Sequence, residues 1–246
     1  MADSVRFLGS GDSFGSGGRF QTCILGDVGG VRFLLDCGAS SLIAMRAQGV
    51  DPNSIDAVLL THMHGDHCAG VPFLLVDAML GSKRQRPLVV AGPAGTARRM
   101  EALREALFPG SHVMKPRFAY EYRELECGRA NAVAGLSVTP YPALHTPETS
   151  PTMLRVERAG KVVAYTGDTD WTEAIVAAAA HADLLVSECY FYDKPVRMHM
   201  NYATLKAQLP RLTAKSVILT HMSADMLGHV HEVPERCATD GMVVEI

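Results

Sequence analysis

Four aliphatic runs in this chain each end on a side chain that can ligate a metal: "AVLLT" leads into His62, "LSVTPYPAL" into His145, "KVVAYTG" into Asp168 and "KSVILT" into His221. Apolar runs that short, bounded by Gly, Pro and Asp, read as strands. Loops following strands are where α/β sheets hold reactive groups, so the recurrence predicts strands that deliver ligands to one place. Further strands are read at "SVRFLG" and "VRFLLDCG", which flank the glycine-rich "GSGDSFGSGGRF", and at "PLVVAG", "DLLVSE" and "MVVEI". "TMLRVER", the turn "AG" and "KVVAYTGD" read as a hairpin. Helical spacing marks "TARRMEALREALF", with Met100, Leu103 and Leu107 on one face, and helices are also read at "WTEAIVAAAAHA" and "NYATLKAQLPRL". No linker or low-complexity segment interrupts the series, so residues 1–246 are read as one α/β domain, with two halves of strands and helices suited to a pair of sheets sandwiched between helices.

Composition narrows the function classes. With 48% hydrophobic residues among 246, the chain can fill a large core. Its 23 Lys and Arg against 26 Asp and Glu give a net charge of -3 with no basic run, which excludes the footprint of a dedicated nucleic-acid binder. The start "MADSVRFLGSG" lacks a basic-then-apolar leader, and no window reaches the roughly 18 apolar residues of a membrane span. A soluble cytoplasmic protein with no membrane partner is expected. Six cysteines, Cys23, Cys37, Cys68, Cys127, Cys189 and Cys237, lie far apart without a CxxC pair and read as reduced, mostly buried thiols.

The densest feature is "THMHGDH", which places His62, His64, Asp66 and His67 within six positions behind a strand. A lone histidine is more often an ordinary surface or core residue than a ligand. Three with an aspartate at this density reverse that weighting. His62 and His64 at spacing two project the same way from an extended segment, and Gly65 permits a turn that brings Asp66 and His67 around. Imidazole and carboxylate ligate Zn²⁺ and similar ions, and two adjacent cations lower the pKa of a shared water enough to hydrolyse esters near neutral pH.

"THMHGDH", followed by His145, by Asp168 in "YTGDT" and by His221 in "LTHMS", resembles the HxHxDH signature and remaining ligands of the metallo-β-lactamase superfamily over essentially the whole chain. The resemblance implies a four-layer αββα sandwich with a dinuclear site between its sheets. It also implies the grouping: His62, His64 and His145 on one ion, Asp66, His67 and His221 on the other, and Asp168 bridging. Two divalent ions are expected, Zn²⁺ first and Mn²⁺ second. "LLVSECYFYDKPVRMHMNYATLKAQL" resembles the ribonuclease Z and cyclic phosphodiesterase branch, in which a Glu after a strand and a His before the next helix act near the metals. The matching residues are Glu188 and His199, and they join Asp66 as the expected catalytic residues. A carboxylate that orients an imidazole suits protonation of a phosphodiester's leaving oxygen. The plain alternatives are a strand-end salt-bridge partner and a helix-start histidine.

Departures from that branch bear on the substrate. Ribonuclease Z enzymes carry a tRNA-gripping arm between the ligands matching His145 and Asp168, whereas 22 residues separate these two here and a hairpin uses most of them. "DCGASS" also departs from the DCGEGTQ of those ribonucleases. The expected substrate is a small cyclic or linear phosphodiester, with no stable nucleic-acid partner, and the branch implies a homodimer. A lactonase or thioesterase would use the same metals on a carbonyl, with Tyr190, Tyr192 or Tyr202 at the oxyanion. A tRNA 3′ endonuclease and a non-enzymatic sensor rank lower.

Residues around this set read in two ways. The glycine-rich loop offers backbone N–H groups to an anion or is an ordinary connection, and Arg19 is a phosphate contact or a solvated arginine. Asp36 orients a ligand or caps a turn. His229 and His231 either edge the pocket or lie clear of it. His112 and His181 read as surface residues, and Met63, Met198, Met200 and Met222 as packing or pocket wall.

Overall fold

A computed structural model describes residues 2–246. In chain order the strands are β1 (Ser4–Gly9), β2 (Cys23–Val28), β3 (Val31–Leu35), β4 (Ala57–Leu59), β5 (Leu88–Gly92), β6 (Tyr120–Glu124), β7 (Asn131–Val133), β8 (Leu136–Pro142), β9 (Thr152–Arg158), β10 (Lys161–Tyr165), β11 (Leu184–Glu188), β12 (Val217–Thr220), β13 (Arg236–Cys237) and β14 (Val243–Glu245). Among the described residues they form two seven-stranded sheets, ordered β14-β1-β2-β3-β4-β5-β6 and β13-β12-β11-β10-β9-β8-β7.

Alternation along the strands sorts side chains between two layers. Phe7, Ile24, Phe33, Leu59, Val138, Leu154, Val163, Leu184, Val186 and Ile218 meet between the sheets. Their neighbours Leu34, Val58 and Val90 face outward onto Met45 of α1 (Ser41–Ala47), Leu74 of α3 (Gly70–Val76) and Met100 of α4 (Thr96–Leu107), with the short α2 (Gly65–Cys68) just before α3. On the far side, Met153 and Leu219 pack on Ile175 of α5 (Ala174–Ala178), Leu205 of α6 (Tyr202–Gln208) and Met226 of α7 (Ala224–Gly228). The result is the expected αββα sandwich. Phe33 is fully buried and its ring lies so close to Gly26 that a Cβ there would stand 2.3 Å from Phe33 Cζ; Phe33→Ala would cost about 3–5 kcal/mol.

Strand directions bring the functional loops to one edge. β2 is antiparallel to both β1 and β3, and β3 through β6 are parallel. β9 is antiparallel to both β8 and β10, and β10 through β13 are parallel. The carboxyl ends of β1, β3 and β4 therefore share one edge, as do those of β8, β10, β11 and β12. The β9–β10 hairpin turns on Ala159 (φ 49) and Gly160 (φ 78), the two positive angles that match strand twist.

Several elements depart from the pattern read in the sequence. "CILGDV" forms β2, which the glycine-rich segment before it obscured. "YEYRE" forms β6, whose partly exposed, charged residues suit the edge strand it is. "NAV" adds β7, and α1 and α3 were hidden in short mixed runs. α5 covers only five residues, and His181 with φ 52 ends the segment behind it. In α4, Arg104 rather than Leu107 takes the buried position, its guanidinium bonded to Tyr120 Oη and Glu101.

Candidate metal centre

The loops after β4, β8, β10 and β12 bring together all seven residues expected as ligands. One group is His62, His64, His145 and Asp168, and the other Asp66, His67, His221 and Asp168, each with its ligand atoms within 4.8 Å of one another. His62 and His64 leave the strand extended, and α2 starts at Gly65, so Asp66 and His67 turn away within one helical turn. That turn, rather than a positive φ at Gly65, separates the two groups. Asp168 spans both: Oδ2 lies 3.9 Å from His62 Nε2 and 4.0 Å from His145 Nε2, and Oδ1 lies 3.2 Å from His67 Nε2 and 3.6 Å from His221 Nε2.

Three hydrogen bonds orient the rings. His145 Nδ1 donates to the Met198 carbonyl at 2.8 Å and His67 Nδ1 to Asp36 Oδ2 at 2.7 Å. Thr61 Oγ1 donates to Asp36 and accepts from His62 Nδ1 at 3.0 Å. Each bond places the proton on Nδ1 and turns the Nε2 lone pair inward. The inward nitrogens crowd: His62 Nε2 and His145 Nε2 lie 3.2 and 3.1 Å from His64 Nδ1, and His67 Nε2 lies 3.3 Å from His221 Nε2. Tetrahedral Zn–N bonds of about 2.0–2.1 Å set ligand nitrogens about 3.3 Å apart. The donor set and its spacing fit a cation in each group, and Asp168 Oδ1, buried without a hydrogen-bond partner among the described residues, faces the second.

Electrostatics point the same way. Burial pushes His62, His64 and His145 below the usual imidazole range, which favours their uncharged, ligand-competent form. In the second group burial opposes the charged form too, but Asp168 and Asp66 outweigh it, holding His67 well above its ordinary value and His221 at about 9. Burial would raise Asp66, yet His67 and His221 hold its carboxyl below the usual range. Without metal, His67 and His221 thus carry protons where a cation would sit.

Glu188, at the end of β11, is fully buried; one oxygen is hydrogen-bonded to His199 Nδ1 and the other accepts from Thr169 N at 2.8 Å and Met200 N at 3.3 Å. His199 Nδ1 lies 4.0 Å from Asp168 Oδ2, and its side chain is 23% exposed where Asp168 is 3% exposed. His199 is raised: burial opposes this, but Glu188 and Asp168 prevail. Burial and Asp168 raise Glu188 as well, so the pair keeps its proton to higher pH. Tyr190 stacks on the His199 ring at 4.9 Å. Tyr202 is instead tied to Glu235, and Tyr192 stacks on His229.

Other expectations sort clearly. Arg19 is not turned to the site: its Nη1 donates to the Ala238 carbonyl at 2.7 Å, securing the far end of the glycine-rich loop. Asp36 orients His67 and Thr61 as one of its two readings held. His112, His181 and His231 are exposed and His229 is half-buried, and all four stand outside both groups. Met63, Met200 and Met222 are buried packing. The cysteines are free thiols, four of them buried. No helix among the described residues is long and apolar enough to cross a membrane.

Sequence reasoning missed Ser13, whose Oγ donates to Asp66 Oδ2 at 2.6 Å, Thr61, and the Met198 carbonyl. A signal existed for Thr61: "LTHM" occurs at 60–63 and again at 219–222, and in both copies the threonine hydroxyl bonds a neighbouring loop, through Asp36 and through the Ser10 carbonyl.

The sequence matches the family described as "Anti-Pycsar protein Apyc1" over residues 4–236. It is 33% identical over 193 residues to ribonuclease Z of Mycobacterium sp. (strain KMS), covering 74% of this chain and 67% of that one. In structure it is similar to the metallo-β-lactamase fold protein YhfI from Bacillus subtilis, at 22% identity, 99% coverage of both chains and a TM-score of 0.80. Human tRNase Z, short form, is similar at 23% identity, 99% coverage of both and a TM-score of 0.76. With this fold, this ligand geometry and these matches, the chain belongs to the metallo-β-lactamase superfamily, in its ribonuclease Z-like branch and the family described as Anti-Pycsar protein Apyc1.

Proposed function

We propose that the protein hydrolyses small cyclic or linear phosphodiesters, with His62, His64 and His145 holding one divalent ion, Asp66, His67 and His221 a second, and Asp168 bridging them. Nitrogen-rich ligation favours Zn²⁺, with Mn²⁺ the second choice. When bound, such ions supply Lewis acidity to a phosphoryl oxygen and a lowered pKa to an attacking water. Asp66, held ionised, would be the carboxylate available to accept a hydrogen bond from an attacking water and orient it. His199 donates a proton to the departing oxygen, and Glu188 holds the ring in place and favours its charged form. The observation that carries this reading is the Glu188–His199 hydrogen bond beside Asp168, with His199 the partly open member of the pair.

The name of the curated relatives, ribonuclease Z, brings an RNA substrate into question for this chain. The hairpin β9–β10 fills most of the segment between His145 and Asp168, leaving little chain there for a separate grip on a large polyanion. Purified metal-loaded protein should therefore turn over cyclic nucleotides or linear phosphodiesters and leave precursor tRNA uncut. Hydrolysis of lactones or thioesters in preference to every phosphodiester would overturn the reading, as would specific cleavage of precursor tRNA.

A further inference from the structure

The loop after β1 carries a side chain that the fold does not use. Phe14 is 83% exposed, more than any other large apolar residue among those described. Isolated surface apolar residues are common and need no explanation. What sets Phe14 apart is that its backbone is tightly held beside the candidate centre. Buried Asp12 accepts from Phe14 N at 3.2 Å, Ser16 N at 2.8 Å and Ser16 Oγ at 2.8 Å. Gln21 Nε2 donates to the Ser13 carbonyl at 3.1 Å, and Gly17, with φ 69, abuts Leu227 so closely that a Cβ would meet its Cδ1 at 2.9 Å.

The preceding residue, Ser13, bonds Asp66 Oδ2 directly. Adjacent Cα atoms are about 3.8 Å apart, so Phe14 starts on the order of 10 Å from the ligand atoms, roughly the span of a ribose and its base together. The backbone of Phe14 is therefore fixed beside the candidate centre while its ring is open to solvent. An aromatic face held this way recognises another planar ring and is indifferent to its hydrogen-bonding edge.

Resting on the phosphodiesterase reading above, we propose that Phe14 is a specificity-determining residue: a platform on which the aromatic ring of the substrate's sugar-linked substituent stacks while its phosphodiester lies at the metal groups. The chain then selects phosphodiesters that carry a base over those that carry only a sugar or an alcohol.

The test compares a nucleoside cyclic phosphate with the matching methyl riboside cyclic phosphate, which keeps the sugar and the phosphodiester and lacks the base. Phe14→Ala in the metal-loaded protein should raise KM for the nucleotide about 5- to 100-fold, as loss of one stacked base implies. It should leave kcat within about twofold, since the ring is remote from the reacting atoms, and leave the methyl riboside unaffected. Phe14→Trp should retain the nucleotide KM. In a Trp171→Phe background, which removes the natural tryptophan, the Phe14→Trp emission should be quenched by a nucleoside monophosphate and not by ribose phosphate. Equal loss on both substrates would overturn the proposal, because it would show a disturbed Asp66. Unchanged KM with loss of self-association in light scattering would also overturn it, assigning the ring to a protein contact. If neither substrate is hydrolysed, the phosphodiesterase reading fails by itself, and the fluorescence titration still decides the role of Phe14.

Discussion

The carbonyl of Met198 accepts a hydrogen bond from His145 Nδ1 at 2.8 Å, and Met198 holds a left-handed backbone with φ 69. One peptide thereby orients a candidate ligand on one side and begins His199 on the other. A non-glycine residue in this region carries strain of about 1–2 kcal/mol.

Substitution at Met198 should separate strain from orientation. Met198→Gly accepts the angle and should leave thermal stability within about 1 kcal/mol. Met198→Val, with a branched Cβ at positive φ, should lower stability by about 1–3 kcal/mol and weaken metal retention. Calorimetry and chelator titration of both variants check this. Metal retention unchanged in Met198→Val would detach the carbonyl from the ordering of His145.

The proton-donor role of His199 predicts a dependence on the leaving group. His199→Ala should slow hydrolysis of an alkyl phosphodiester by about 10²- to 10⁴-fold and an activated aryl phosphodiester far less, at unchanged metal content. Glu188→Gln should show the same contrast more mildly, since the amide keeps a hydrogen-bonding partner but loses the charge that favours imidazolium. Rates across a leaving-group series, at fixed metal occupancy, decide it. Equal losses throughout would remove both residues from the acid role.

The protons on the second group predict how stability depends on pH. In chelated protein, His221 is raised from 6.5 to about 9 by Asp168 and Asp66, against the opposing effect of burial. A histidine raised on folding contributes stability that is complete below its unfolded value and is lost as pH rises through its folded value. Chelated protein should therefore lose stability between about pH 6.5 and about pH 9, and uptake of metal near pH 7 should release protons. Denaturant titrations across this window, paired with proton-release calorimetry, measure both. A chelated protein that gains stability over the same interval would contradict the assignment.

Legibility in the sequence followed the range of the interactions. The strand-end positions of His62, His145, Asp168 and His221 could be read because a short apolar run announces each strand and the ligand follows within three residues. The order of strands and helices already suited two sheets between helices, whereas the division of ligands between two ions came from the resemblance. β6 escaped because an edge strand can be as polar as a loop. Ser13 and the Met198 carbonyl escaped because both act across the fold, on Asp66 53 residues away and on His145 53 residues away. Nothing in a local window marks a backbone carbonyl as a hydrogen-bond partner, and Arg19, equally ambiguous locally, was resolved by Ala238, 219 residues further on.

Elemental analysis of mildly purified protein is the most direct test of a dinuclear centre held by seven side chains. The wild type should carry about two transition-metal ions per chain, and Asp168→Ala, which removes the one carboxylate facing both groups, should lose both while remaining folded. Wild-type protein that stays folded yet metal-free after reconstitution with Zn²⁺ or Mn²⁺ would contradict the centre itself; an Asp168→Ala variant that loses one ion and keeps the other intact would contradict the bridge.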